Sequence, residues 1–140
     1  MAISIPSIGL NHTVGSIGGS SVLDPAPGTV SWYNQRAAPG QNGIAVILGH
    51  VTYNGIPDVF YSLKRAPIGS SVIVKMSNGG TLTFVVESIF SKSKEAMRHD
   101  ARVWGTSSTP RLALVTCDTA STLYRNGHRA NNTAVVLRLA

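Results

Sequence analysis

The chain has 140 residues, 43% of them hydrophobic, the size of one ordinary domain that buries roughly two-thirds of its unfolded surface. Lysine and arginine number 12 against 6 acidic residues, a formal charge of +6. The basic residues (Lys64, Arg65, Lys92, Lys94, Arg98, Arg102) are scattered and aromatics are only 6%, which argues against a stacking surface for nucleic acid.

One cysteine, Cys117, excludes an intramolecular disulfide. No apolar run approaches the ~20 residues that span a bilayer, and the opening Met-Ala-Ile-Ser-Ile-Pro carries neither a basic leader nor an apolar signal core. The expectation is a water-soluble single domain over 1–140.

Glycine and proline punctuate short apolar runs, without repeat, heptad or low-complexity tract, which argues for a β-rich fold. In chain order, strands are predicted over 43–48 (Gly-Ile-Ala-Val-Ile-Leu), 71–76, 81–87, 111–116 and 133–139. Several are continuously apolar, which suits strands covered on both faces in a closed barrel or sandwich. Ser77-Asn-Gly-Gly80 is a hairpin turn signal, because Asn and Gly accept positive φ. Helix is expected only in connections: a turn or two over 58–63, and another over 93–99 with Ser93 as N-cap. Residues 88–110 read as a long loop, and long loops in compact domains are usually functional.

Cys117 closes the run Leu112-Ala-Leu-Val-Thr116, where a buried strand would meet a loop over 118–128. By itself it is either a small core residue or a working thiol, and a base and a charge partner are needed to decide. His50 closes Ile44-Ala-Val-Ile-Leu-Gly49 in the same strand-to-loop setting, with Gly49 allowing close backbone approach. His12, His99 and His128 lie in polar surroundings and read as surface residues.

Arg129 stands at the head of the final strand, twelve residues after the cysteine. If the two strands are antiparallel neighbours, the end of one lies beside the start of the other, about 5 Å away. A guanidinium there could hold a peptide carbonyl or the oxyanion formed on attack. Arg125 reads as a solvated loop charge, and Arg138 as too far along the strand to help. No Cys-x-x-Cys, His-x-x-x-His or tight carboxylate cluster occurs, so no metal or other cofactor is expected. Gly-x-Ser-x-Gly and phosphate-binding glycine loops are also missing.

At these residues the chain resembles the sortases, cell-surface cysteine transpeptidases of Gram-positive bacteria, and among them the class F group of actinobacteria. The likeness runs through Ile5-Pro-Ser-Ile8, Trp32-Tyr, Pro39-Gly, Ala45-Val-Ile-Leu-Gly-His50, Gly55-Ile-Pro-Asp-Val-Phe60 and Leu114-Val-Thr-Cys117, to the arginine before the last strand. Where the family carries an Asp-Asn pair after that arginine, this chain has Ala130-Asn131-Asn132.

The resemblance implies an all-β, closed sortase-type barrel of about eight strands with one or two short helices in its connections. It implies catalysis by His50, Cys117 and Arg129, with Thr116 helping to form the substrate and oxyanion environment. The cysteine would attack the Thr–Gly bond of a Leu-Pro-X-Thr-Gly sorting signal and pass the acyl group to an amine such as a cell-wall precursor peptide. The implied home is the outer face of the cell membrane, with an anchor that this sequence lacks. A Cys/His peptidase, another cell-wall transpeptidase and a non-catalytic barrel with Cys117 in its core are the alternatives.

Overall fold

The computed structural model describes residues 1–18, 25–117 and 130–140. Its strands are β1 (Ala2–Ile5), β2 (Leu10–Ile17), β3 (Val30–Tyr33), β4 (Gly43–Gly49), β5 (Thr52–Tyr53), β6 (Ile56–Pro57), β7 (Ser71–Lys75), β8 (Thr81–Ser93), β9 (Pro110–Cys117) and β10 (Asn131–Leu139). Two short helices, α1 (Lys94–Arg98) and α2 (Ala101–Trp104), fill the connection between β8 and β9. Eight strands close a barrel in the order β1-β2-β3-β4-β9-β10-β8-β7, and β5 with β6 forms a separate hairpin. The expected all-β closed barrel with short helices in its connections is the architecture observed.

The local signals act as their chemistry dictates. Gly79 takes φ +89° in the turn between β7 and β8, and Met76 N–H donates to Gly80 O at 2.7 Å to close it. Ser93 caps α1, its hydroxyl accepting the Ala96 N–H at 3.1 Å. β9 and β10 are antiparallel neighbours, as the reading of the last two strands required.

Alternation sorts β4, β9 and β10 into two buried faces. Ala45, Ile47, Leu112, Leu114, Val135 and Leu137 point into the barrel with Phe60 and Phe84. Ile44, Val46, Leu48, Ala113, Val115 and Ala134 face outward and are covered by Met97 of α1 and Val103 of α2. Strands covered on both faces lose polar alternation, which is why they are the continuous apolar runs of the sequence.

Two expectations are corrected. Residues 88–110 are not a loop: β8 runs on to Ser93, and α1 and α2 follow. A bulge, with the register shifting between Val136↔Ser88 and Leu137↔Val86, inserts Glu87 as an extra residue in β8. That breaks the alternation just where the sequence turns polar. Residues 58–63 form no α-helix, only turns leading into a 3-10 segment at Leu63–Arg65. The local donors reach back three residues to close turns, Tyr61 N–H to Asp58 O at 3.0 Å and Leu63 N–H to Phe60 O at 3.1 Å, while Phe60 N–H goes to His50 O at 3.1 Å.

Strands β1, β2 and β3 were not predicted. In β2 only Leu10 and Val14 are buried, too sparse a pattern to stand out.

Candidate functional site

Two parallel strands set the site. β4 pairs with β9 in parallel, and the last matched residues are Leu48 and Val115. Two residues further on are His50, just past the end of β4, and Cys117, the last residue of β9. Leu48 and Val115 belong to the outward face, so continued alternation turns Cys117 outward and Thr116 inward.

Across the other edge of β9, Cys117 is matched to Asn132 and Thr116 to Thr133, both on β10. One strand further, on β8, Lys92 is matched to Asn132 and Ser91 to Thr133. An outward row therefore crosses the end of the barrel, Lys92, Asn132 and Cys117. Beneath it runs an inward row, Ser91, Thr133 and Thr116.

His50 is held from several sides. Its Nε2 lies 2.6 Å from Pro25 O, and a carbonyl only accepts, so Nε2 carries the hydrogen. Its own carbonyl accepts from Phe60. The Tyr53 ring stands edge-on to the imidazole, 5.8 Å between centroids. Asp58 accepts from Gly28 N–H at 2.9 and 3.1 Å, which fixes the segment that presents Pro25.

Gly49 leaves room for this arrangement. A Cβ there would sit 2.8 Å from Phe60 Cδ2, against Phe60, whose side chain is fully buried.

Cys117 is half-buried. Lys94, the first residue of α1, brings its ammonium 3.6 Å from Sγ and donates to Asn132 Oδ1 at 2.7 Å. Neither Lys94 nor Asn132 was singled out as a site residue in the sequence. One signal was present: a cation in the first turn of a helix opposes the positive end of the helix dipole, so local stability does not select it. Thr116 is buried, and among the described residues its Oγ1 has no hydrogen-bond partner. Thr133 instead bonds Ser91, 2.8 Å between hydroxyls.

The remaining candidates are scattered. His12 lies on β2 and bonds Thr13 O, and His99 follows α1 and meets Glu95 at 3.3 Å. Arg138 is at the far end of β10, 3.7 Å from Glu87. Arg129, Arg125 and His128 lie outside the described residues. Among the described residues no group of three His, Cys, Asp or Glu side chains could hold a metal ion.

The wall beside the site rests on a buried carboxylate. Asp100 begins α2, accepts from Arg102 N–H at 2.9 Å, and pairs with the Arg102 guanidinium and with Lys92, each at 2.7 Å. Hydrogen bonding from Arg102 holds its carboxyl well below the usual carboxylate range, against the opposing effect of burial, with Lys92 adding to the lowering. The guanidinium also stacks on Phe90, 3.5 Å from the ring centroid.

A closed mixed barrel, with one cysteine ending β9 and a histidine just past the end of the parallel neighbour β4, defines the class of structure. The family model described as Sortase domain matches residues 3–138, and the chain belongs to the sortase family.

Solved structures share the fold. Sortase A from Corynebacterium diphtheriae superposes with a TM-score of 0.76 at 19% identity, covering 99% of this chain and 59% of that one. A Clostridium perfringens sortase D5 transpeptidase gives 0.72 at 23% identity, with 99% and 77% covered. Sortase C1 from Streptococcus agalactiae gives 0.72 at 21% identity, with 99% and 66% covered. This chain thus spans about 59% of the length of the diphtheria enzyme. Comparison with curated protein sequences returned no match. Among the described residues no helix is long and apolar enough to cross a membrane.

Proposed function

We propose that this chain is the catalytic domain, over 1–140, of a sortase transpeptidase of the class F type. Cys117 is its nucleophile, His50 its proton partner, Arg129 its clamp on the reacting carbonyl, and Thr116 part of the substrate and oxyanion environment. The observation that supports this reading is the parallel pairing of β4 with β9, whose last matched pair, Leu48 and Val115, lies two residues before His50 and Cys117.

The thiolate attacks the carbonyl carbon between Thr and Gly of a Leu-Pro-X-Thr-Gly sorting signal. A C–S bond forms, the C–N bond breaks, and the imidazolium of His50 gives its proton to the departing glycine amine. A second amine then attacks the thioester, the C–S bond breaks, and the thiolate is restored as the amine's proton returns to His50. The substrate is a surface protein and the acceptor a cell-wall precursor amine. The setting is the outer face of a Gram-positive membrane.

Mass spectrometry of the protein after incubation with a Leu-Pro-X-Thr-Gly peptide tests this. An acyl adduct on Cys117 that an added amine discharges to a new amide, and that Cys117→Ala lacks, is the expected result. No adduct, with the peptide intact, would refute the reading. Release of free acid at a rate indifferent to amine would make the chain a peptidase instead.

A further inference from the structure

We propose that Lys94 is a further catalytic residue of the thiol site, a cation that stabilises the Cys117 sulfur as thiolate, and that Asn132 is the positioning residue that holds it there. This rests on the reading of Cys117 as the nucleophile, and it adds a group from a different element, the helix that follows β8.

The placement is built at both ends of α1. Ser93 is matched to Asn131 in the ladder between β8 and β10, and Lys94 N–H reaches Ala130 O at 3.4 Å. Met97 sits 1% exposed in the outer core, among the side chains of β4, β9 and β10. With the backbone fixed in this way, the Lys94 side chain lies over β10 and meets β9 at Cys117.

Its ammonium has three hydrogens. One goes to Asn132 Oδ1 at 2.7 Å, and another faces Sγ at 3.6 Å. No carboxylate pairs with Lys94 among the described residues: Glu95 is taken by Arg98 and His99, and Asp100 by Arg102 and Lys92. The thiol is the acid that this lysine meets.

Among the described residues, the charged and titratable groups on the elements beside the sulfur are Lys94 from α1, His50 after β4, and Lys92 from β8, the last turned to Asp100. The proposed clamp Arg129 lies outside the described residues. An opposite charge within about 4–6 Å favours the ionised form of a group by roughly tenfold or more. Stabilising a thiolate also blunts it, with a Brønsted coefficient of about 0.4–0.5. The net gain in rate where little thiolate is present is then roughly threefold, and where ionisation is complete the same cation slows the sulfur by roughly threefold.

The test reads that crossing. Reaction of Cys117 with the neutral disulfide 4,4′-dithiodipyridine is followed by stopped flow from pH 6 to 9.5, with Cys117→Ala as the blank. Lys94→Met is expected to react about threefold slower than the parent at pH 6–7 and about threefold faster at pH 9.5. Lys94→Arg is expected to retain the parent profile, and Asn132→Leu to move part of the way toward Lys94→Met. A Lys94→Met profile that superimposes on the parent, or one displaced by the same factor at every pH, would overturn the proposal. If Lys94→Met melts below the assay temperature, Lys94→Gln carries the same comparison. The probe is not a sorting peptide, so a crossing profile without acyl transfer would sink the transpeptidase reading alone. Acyl transfer with superimposed profiles would sink the role of Lys94 alone.

Discussion

Gly49→Ala is the sharpest probe of how the fold holds its histidine. The added Cβ would lie 2.8 Å from Phe60 Cδ2 and 3.1 Å from two further atoms of that ring, where carbon atoms prefer about 3.5–4.0 Å. Phe60 is fully buried and cannot swing into solvent. Its backbone N–H is bonded to His50 O, so a shift of Phe60 pulls on the residue after the substitution. Overpacking of this kind costs about 1–3 kcal/mol.

At about 3 °C per kcal/mol for a domain of this size, the melting temperature should fall by roughly 3–10 °C. Thermal and urea melts of Gly49→Ala, Phe60→Leu and the double variant form a cycle. The smaller leucine should recover stability with a coupling on the order of 1 kcal/mol. Acyl-adduct formation on Cys117 should drop in Gly49→Ala and return in the double variant. A Gly49→Ala protein within about 0.5 kcal/mol of the parent, with no coupling to Phe60→Leu, would refute the close-approach argument.

The Asp100 carboxyl is ionised more readily in the folded chain than in the unfolded one. Its contribution is therefore present above the unfolded value of about 3.9 and lost as pH falls through and below it. Urea melts should show Asp100→Asn less stable by about 1–3 kcal/mol at pH 7, with the deficit beginning to shrink below about pH 4 and closing only in stronger acid, once the carboxyl of the folded chain is itself protonated; a deficit unchanged between pH 7 and about pH 2 would contradict the pairing. Thr116→Val removes a buried hydroxyl that lacks a partner, so denaturation should show a gain of about 1 kcal/mol. Steady-state kinetics should show a several-fold loss in kcat/KM if that hydroxyl serves the substrate. Arg129→Ala should lose at least about a hundredfold in kcat/KM, with little recovery in Arg129→Lys, while Arg125→Ala stays within a few-fold. A crippled Arg125→Ala beside a healthy Arg129→Ala would reassign the clamp.

Much of the fold was legible where burial leaves a mark in composition. Runs such as Ile44–Leu48 and Leu112–Val115 are apolar because α1 and α2 cover their outer face while the barrel covers the inner one, and a strand wet on neither side has no polar alternation to hide it. The hairpin at Ser77–Gly80 and the cap at Ser93 were equally readable, since positive φ and orphan N–H groups are satisfied within a few residues of the chain. The ends of the two apolar runs drew attention to His50 and Cys117 for the same local reason.

What tertiary structure alone decided lies in the pairings between distant segments. The sequence held no sign that β4 and β9, more than sixty residues apart, would pair in parallel and end together, because parallel register is set by barrel closure and not by any turn. The bulge at Glu87 made half of β8 read as loop, β1 and β3 are only four residues long, and β2 buries just Leu10 and Val14. Lys94 and Asn132 gave even less notice. Their meeting with Cys117 depends on a helix seated by Met97 and on a β10 register that matches Asn132 to the cysteine. Residues 23 and 38 positions from Lys94 come within reach of one ammonium only when three elements pack, and that packing is written in the whole core.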